Sequence, residues 1–88
     1  MNYSVTNEWQ SLSKIMGSDY SSSKKYRIHN NVNGVCNLAW AMESTATTGA
    51  LLPSGTVLYN DANTDIYLRV NSKSAQTYVD ALYITEVA

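Results

Sequence analysis

Asp61, Asn63 and Asp65 set three oxygen-bearing side chains at alternate positions, the D-x-N-x-D spacing with which a calcium loop starts to wrap one hard cation. The pattern then stops. Ile66 stands where such a loop needs a glycine for its sharp turn, and Ser72 stands where a bidentate glutamate would close the coordination sphere. An Asx-rich turn accounts for the triplet without a metal. The run "KKYR" gathers Lys24, Lys25 and Arg27 around Tyr26, residue types that touch phosphates and stack on bases. In a strand, Lys25 and Arg27 point away from the side that carries Tyr26, so a solvated strand side is the simpler expectation and no nucleic acid is expected as partner. His29 could act as a general base, yet no nucleophile spacing or Gly-rich elbow surrounds it. With Cys36 as the one cysteine, the chain can form no internal disulfide, and Cys36 with His29 is too small a set of soft ligands for a structural zinc. The expectation is a protein that is not an enzyme and carries no cofactor.

The composition narrows the classes further. Charged residues are 15% of the 88 and the formal net charge is −1, so no basic field is present to hold a polyanion. Ser, Thr and Asn supply 28 residues, and the aromatic rings are seven Tyr and two Trp with no Phe. Such a surface is uncharged, polar and able to make contacts through amphipathic rings. The start, "MNYSVTNEW", lacks a charged region followed by an apolar run, and no stretch reaches the roughly 18 apolar residues of a membrane span. A protein made in the cytosol, soluble and without a membrane partner, is the reading.

These side chains must be held by short elements. In "NEWQSLSKIMG" the apolar residues Trp9, Leu12, Ile15 and Met16 recur at helical spacing, with Thr6 or Asn7 as a cap and Gly17 as a stop. A short helix that covers the core is expected there, or an arm that docks on a partner through Trp9, Leu12 and Ile15. "SDYSSSKK", residues 18–25, has linker composition, which divides an N-terminal segment, residues 1–22, from a β domain, residues 23–88. Strands are expected at 24–30, 35–42, 50–52, 56–60, 65–71 and 77–87. The fold class that follows is all-β: a small antiparallel β-sandwich or barrel of about six strands with a short N-terminal helix or arm.

The pair Asn33-Gly34 raises the question of a two-residue hairpin. That register would oppose even to odd positions, whereas Tyr26, Ile28, Cys36, Leu38, Trp40 and Met42 all lie on even-numbered sides. A loop of residues 31–35 with Gly34 at positive φ restores the match, setting Tyr26 opposite Trp40 and Ile28 opposite Leu38. "LPSG" places Pro53 second and Gly55 fourth in a type I turn. "ESTATTGA", residues 43–50, reads as a connector or a contact loop.

The last strand, "TYVDALYITEV", differs from the others. Tyr78, Leu82 and Ile84 fall on one side, and Val79, Ala81, Tyr83 and Val87 on the other, so neither side is plainly polar. One layer can cover one side of a small domain. Val79, Tyr83 and Val87 are therefore expected to form an interface between copies of the chain, each contributing about 1.5–3 kcal/mol when buried.

Four short stretches carry a resemblance: Trp9 and Leu12 as "W-x-x-L", "YRIHNN" at 26–31, "LLPSG" at 51–55 and "DIYLR" at 65–69. Together they resemble small virion proteins of tailed bacteriophages, in which an aromatic-Ile-x-Asn strand precedes a Leu-Pro-x-Gly turn and an aromatic strand ending in Arg. The resemblance implies a head decoration or minor head or tail component, a small β-fold that is often trimeric and binds capsid or tail proteins. It implies residence in the virion after synthesis in the bacterial cytoplasm, and no catalytic residues. The competing expectation is a carbohydrate- or receptor-binding β-module, in which Trp40 and Tyr59 would lie in an open groove.

Overall fold

The computed structural model describes residues 1–32, 38–45, 49–71 and 76–87. Among the described residues eight strands form: β1 (Asn2–Thr6), β2 (Gln10–Ser11), β3 (Lys25–Asn30), β4 (Leu38–Ala41), β5 (Ala50–Leu52), β6 (Val57–Asn60), β7 (Tyr67–Val70) and β8 (Thr77–Val87). They make two antiparallel sheets, ordered β1-β8-β3-β6 and β2-β7-β4-β5. The small all-β fold is as expected, with two strands more than expected because residues 1–11 supply β1 and β2. Those strands pair with β8 and β7, so the N-terminal segment belongs to the same two sheets as the rest.

The pairing follows one rule: the first strand with the eighth, the second with the seventh, the third with the sixth and the fourth with the fifth. A long antiparallel ribbon folded over on itself produces that order, and the added β3–β8 and β4–β7 pairings join its two limbs. This is the jelly-roll topology. Both sheets stay open, and their inner faces share one core: Val5, Tyr26, Ile28, Leu82 and Ile84 from the first, and Leu38, Leu52, Leu68 and Val70 from the second.

The topology overturns the expected β3–β4 hairpin. β3 and β4 lie in different sheets, so Tyr26 faces Asn60 and Glu86, and Ile28 faces Leu58 and Ile84. Leu38 and Trp40 pair instead with Val70 and Leu68. Tyr26, Ile28 and Leu38 do share a buried side, but across the layers of the core rather than along one ladder; Met42, expected on that side, is exposed. Gly34 and the tip at 33–37 lie outside the described residues.

A second correction concerns "LPSG". The Thr56 N–H donates to the Pro53 carbonyl at 3.1 Å, so the turn starts one residue later than expected. Gly55 then occupies the third position at φ +82°, the left-handed value a type II turn requires there. Asn30 fastens this turn to β3. Its Nδ2 donates to the Leu52 carbonyl at 2.7 Å, its Oδ1 accepts from the Val32 N–H at 3.0 Å, and its carbonyl accepts from the Gly55 N–H at 2.9 Å. Asn60 does the same for the next loop, donating to the Thr64 carbonyl at 2.8 Å and accepting from the Ile66 N–H at 3.2 Å. These are the two buried polar side chains of the described core.

The expected helix is shorter, α1 (Leu12–Met16), and continues as a 3-10 turn over Gly17–Asp19. Ser11 caps it rather than Thr6 or Asn7, accepting from the Lys14 N–H at 3.2 Å. Gly17 ends it at φ +60°. Leu12 and Met16 enter the core. The stretch read as a linker is stitched down: the Tyr20 ring stacks on Tyr26 at 5.7 Å, and Tyr20 donates to the Thr64 carbonyl at 3.1 Å.

Tyr3 closes this corner by donating to Asp19 at 2.8 Å. Burial, helped by that hydrogen bond and the Asp19 charge, pushes its phenol from the ordinary 10.0 up to about 12. The folded chain thus holds this proton more tightly than the unfolded one. Its stabilising contribution is complete below the ordinary value of 10.0 and is lost as the pH climbs through about 12. Ultraviolet titration is expected to show a late-ionising tyrosine that Tyr3→Phe removes; an unchanged curve in that variant would contradict the assignment.

Candidate functional site

β8 passes through the middle of the first sheet, and its register sets an outward face. Tyr83 lies between Asn2 on β1 and His29 on β3, and His29 is followed by Val57 on β6. The next row is Thr85, Arg27 and Tyr59, and the third pairs Val87 with Lys25. Cross-strand neighbours of this kind have Cβ atoms about 4.5–5.5 Å apart. The face therefore carries Tyr83, Tyr59 and Val57 around a column of Lys25, His29 and the half-buried Arg27.

Exposure at this face is high for such side chains: Tyr59 51%, Tyr83 42% and Val57 37%. Val79, further along β8, reaches 75%. Its position follows from a bulge. The ladder steps from Tyr3↔Leu82 to Val5↔Tyr78, so Ser4 alone opposes residues 79–81, and Asp80 takes φ +55°. The bulge turns Ala81 inward, where it is buried, which corrects its expected place beside Val79 and Tyr83. Val87 is half-buried.

The expected arm residues do not share this face. Leu12 is 0% exposed, so its contact is with the chain's own core rather than a partner. Ile15 is partly buried against that core. Trp9 lies on the second sheet's side of the molecule, where the Arg69 guanidinium sits 4.8 Å from its ring. The far edge of the same ring closes on Gly49. A β-carbon at Gly49 would lie 2.6 Å from the Trp9 ring and 2.5 Å from the Trp40 carbonyl oxygen. The second obstacle is backbone and cannot swing aside. Gly49→Ala is expected to destabilise by about 1–3 kcal/mol, read as a lower urea midpoint; an unchanged midpoint would show that the strands yield.

The groups weighed for chemistry are engaged elsewhere. Asp65 accepts from the Ser13 N–H at 3.1 Å and from its hydroxyl at 2.6 Å, holding the start of α1. Asp61 pairs with Lys25 at 3.4 Å, and Asn63 adopts φ +63° in the turn between them. Lys24 pairs with Glu86 at 3.1 Å. Tyr26 is buried while Lys25 is exposed, as the alternation required. Of the two rings that a sugar groove would use, Trp40 is half-buried against the core, and Tyr59 is open on the sheet face with the Lys25 ammonium 5.2 Å from its centroid. Cys36 and Ser72 lie outside the described residues.

Asn30 and Asn60 were missed as structural residues, although each sits at the inward end of an alternating strand, "YRIHN" and "VLYN". An asparagine on a buried parity is the signal that could have found them. Comparison with protein-family models, with curated proteins and with solved structures yields no match.

Proposed function

We propose that this chain is a non-enzymatic structural protein that assembles with copies of itself through the outward face of the first sheet, and that the assembly decorates a capsid or tail surface of a tailed phage. One observation carries the self-association: four large apolar or aromatic side chains, Val57, Tyr59, Val79 and Tyr83, stand exposed on one sheet. Full burial of each contributes about 1.5–3 kcal/mol, against a cost of association of about 4–15 kcal/mol. One face is on the scale of that cost, so several such contacts in a closed ring serve better than one. The phage setting rests on the sequence resemblance. Two of its pieces, "YRIHNN" and "LLPSG", are the segments that Asn30 bonds together. The jelly-roll topology, which viral capsid domains use among others, adds support by analogy only. The absence of an enzymatic role is consistent with Asp19, Asp61, Asp65 and Glu86 being tied to Tyr3, Lys25, Ser13 and Lys24.

Light scattering on a gel-filtration column tests the assembly. The wild-type chain is expected to run as a small oligomer, with a trimer the first candidate, and Tyr83→Asp as a monomer whose circular dichroism is unchanged. A wild-type monomer at tens of micromolar would remove the reading. Detection of the chain in purified virions, or its absence from them, decides the phage setting separately.

A further inference from the structure

We propose that the cleft between the β1–β2 turn and the start of β8 binds a neutral carbohydrate. The cleft is lined by Thr6, Asn7, Glu8, Gln10, Gln76 and Thr77. That set offers two hydroxyls, three carboxamides and one carboxylate, with no cation and no large apolar side chain. An anionic ligand would meet Glu8 without a compensating charge, and an apolar one would strip water from six polar groups without replacing their hydrogen bonds. A single carboxylate among neutral oxygens supplies little of the negative charge with which calcium sites reach high affinity. A neutral polyol suits the set, because each carboxamide donates and accepts at once, as paired vicinal hydroxyls require. The carboxylate adds charge-assisted acceptance from hydroxyl groups.

The lining is held in place by the fold. Thr6 and Thr77 face each other at the end of the β1–β8 ladder. The Thr6 Oγ1 accepts from the Glu8 N–H at 3.3 Å and fixes the turn that presents Asn7 and Glu8. Gln10 is anchored in β2 opposite Leu68. The Tyr78 hydroxyl donates to the Gln76 Oε1 at 3.4 Å, which leaves the Gln76 Nε2 hydrogens as the donors that side chain can offer a ligand. The carbohydrate reading goes beyond the assembly reading and does not rest on it.

The test titrates the full-length, 15N-labelled chain with neutral chitotetraose and maltotetraose, and with an anionic heparin tetrasaccharide, following side-chain and backbone amide signals. Saturable shifts at Asn7, Gln10 and Gln76 with a neutral sugar are expected, with none from heparin. Gln10→Ala and Glu8→Gln are each expected to weaken binding by about tenfold, the loss of one ligand hydrogen bond, while the gel-filtration volume stays that of the wild type. No shift from either neutral sugar, a preference for heparin, or shifts centred on Tyr59 and Tyr83 would each overturn the proposal.

Discussion

Leu12→Ala is expected to lower the unfolding free energy by about 2–5 kcal/mol, the range for removing a leucine from a closed core. Leu12 has no exposed surface and packs in the cluster that both sheets share. Its backbone is tied as well, with the N–H donating to the Ile66 carbonyl at 2.8 Å. A domain of this size has the lower part of the usual range of about 5–15 kcal/mol in reserve, so the variant is expected to be largely unfolded at 37 °C. Urea unfolding followed by tryptophan fluorescence measures it. A docking arm predicts the opposite outcome, unchanged stability with weakened partner binding, so one experiment separates the two roles of this residue.

Asn30→Ala is the second large effect. The substitution leaves the Leu52 carbonyl without its donor in a buried setting, which costs about 1–3 kcal/mol. It also removes the acceptor that holds the Val32 N–H, while the backbone bonds from Asn30 to Gly55 and Thr56 remain. Asn31, its neighbour, is exposed, and Asn31→Ala is expected to stay within about 0.5 kcal/mol of the wild type. Thermal unfolding of the two variants side by side provides the contrast. Equal midpoints would mean that the Asn30 side chain contributes nothing beyond its backbone bonds.

The parts of the candidate face were unequally legible. That Tyr83 points to the side opposite Leu82 and Ile84 follows from strand alternation alone, and "KYRIHN" likewise separated Lys25 and Arg27 from Tyr26. The company of Tyr83 could not be read this way. His29, Val57 and Tyr59 join it because β3 is held between β8 and β6, and that arrangement depends on segments up to 62 residues apart, as in the Lys24–Glu86 pair at the rim. The bulge at 79–81, which exposes Val79 and buries Ala81, arises from the match between β1 and β8 and has no signature in β8 itself.

The sequence by itself determined where several strands start and stop: 77–87 and 50–52 as observed, and 56–60 and 24–30 to within a residue, while the expected 65–71 shortens to Tyr67–Val70. Alternation and turn residues act within a few positions of one another, and a short stretch carries them whole. Tertiary structure decided which strands meet. Tyr26 and Leu38 could satisfy their burial either beside each other in one hairpin or across the core from separate sheets, and the local pattern is identical in both. Only the ribbon as a whole, in which β8 gains β1 on one edge and β3 on the other, covers the inner faces of both sheets at once. That requirement split the expected hairpin, drew residues 1–11 into the fold and placed Leu12 in the core.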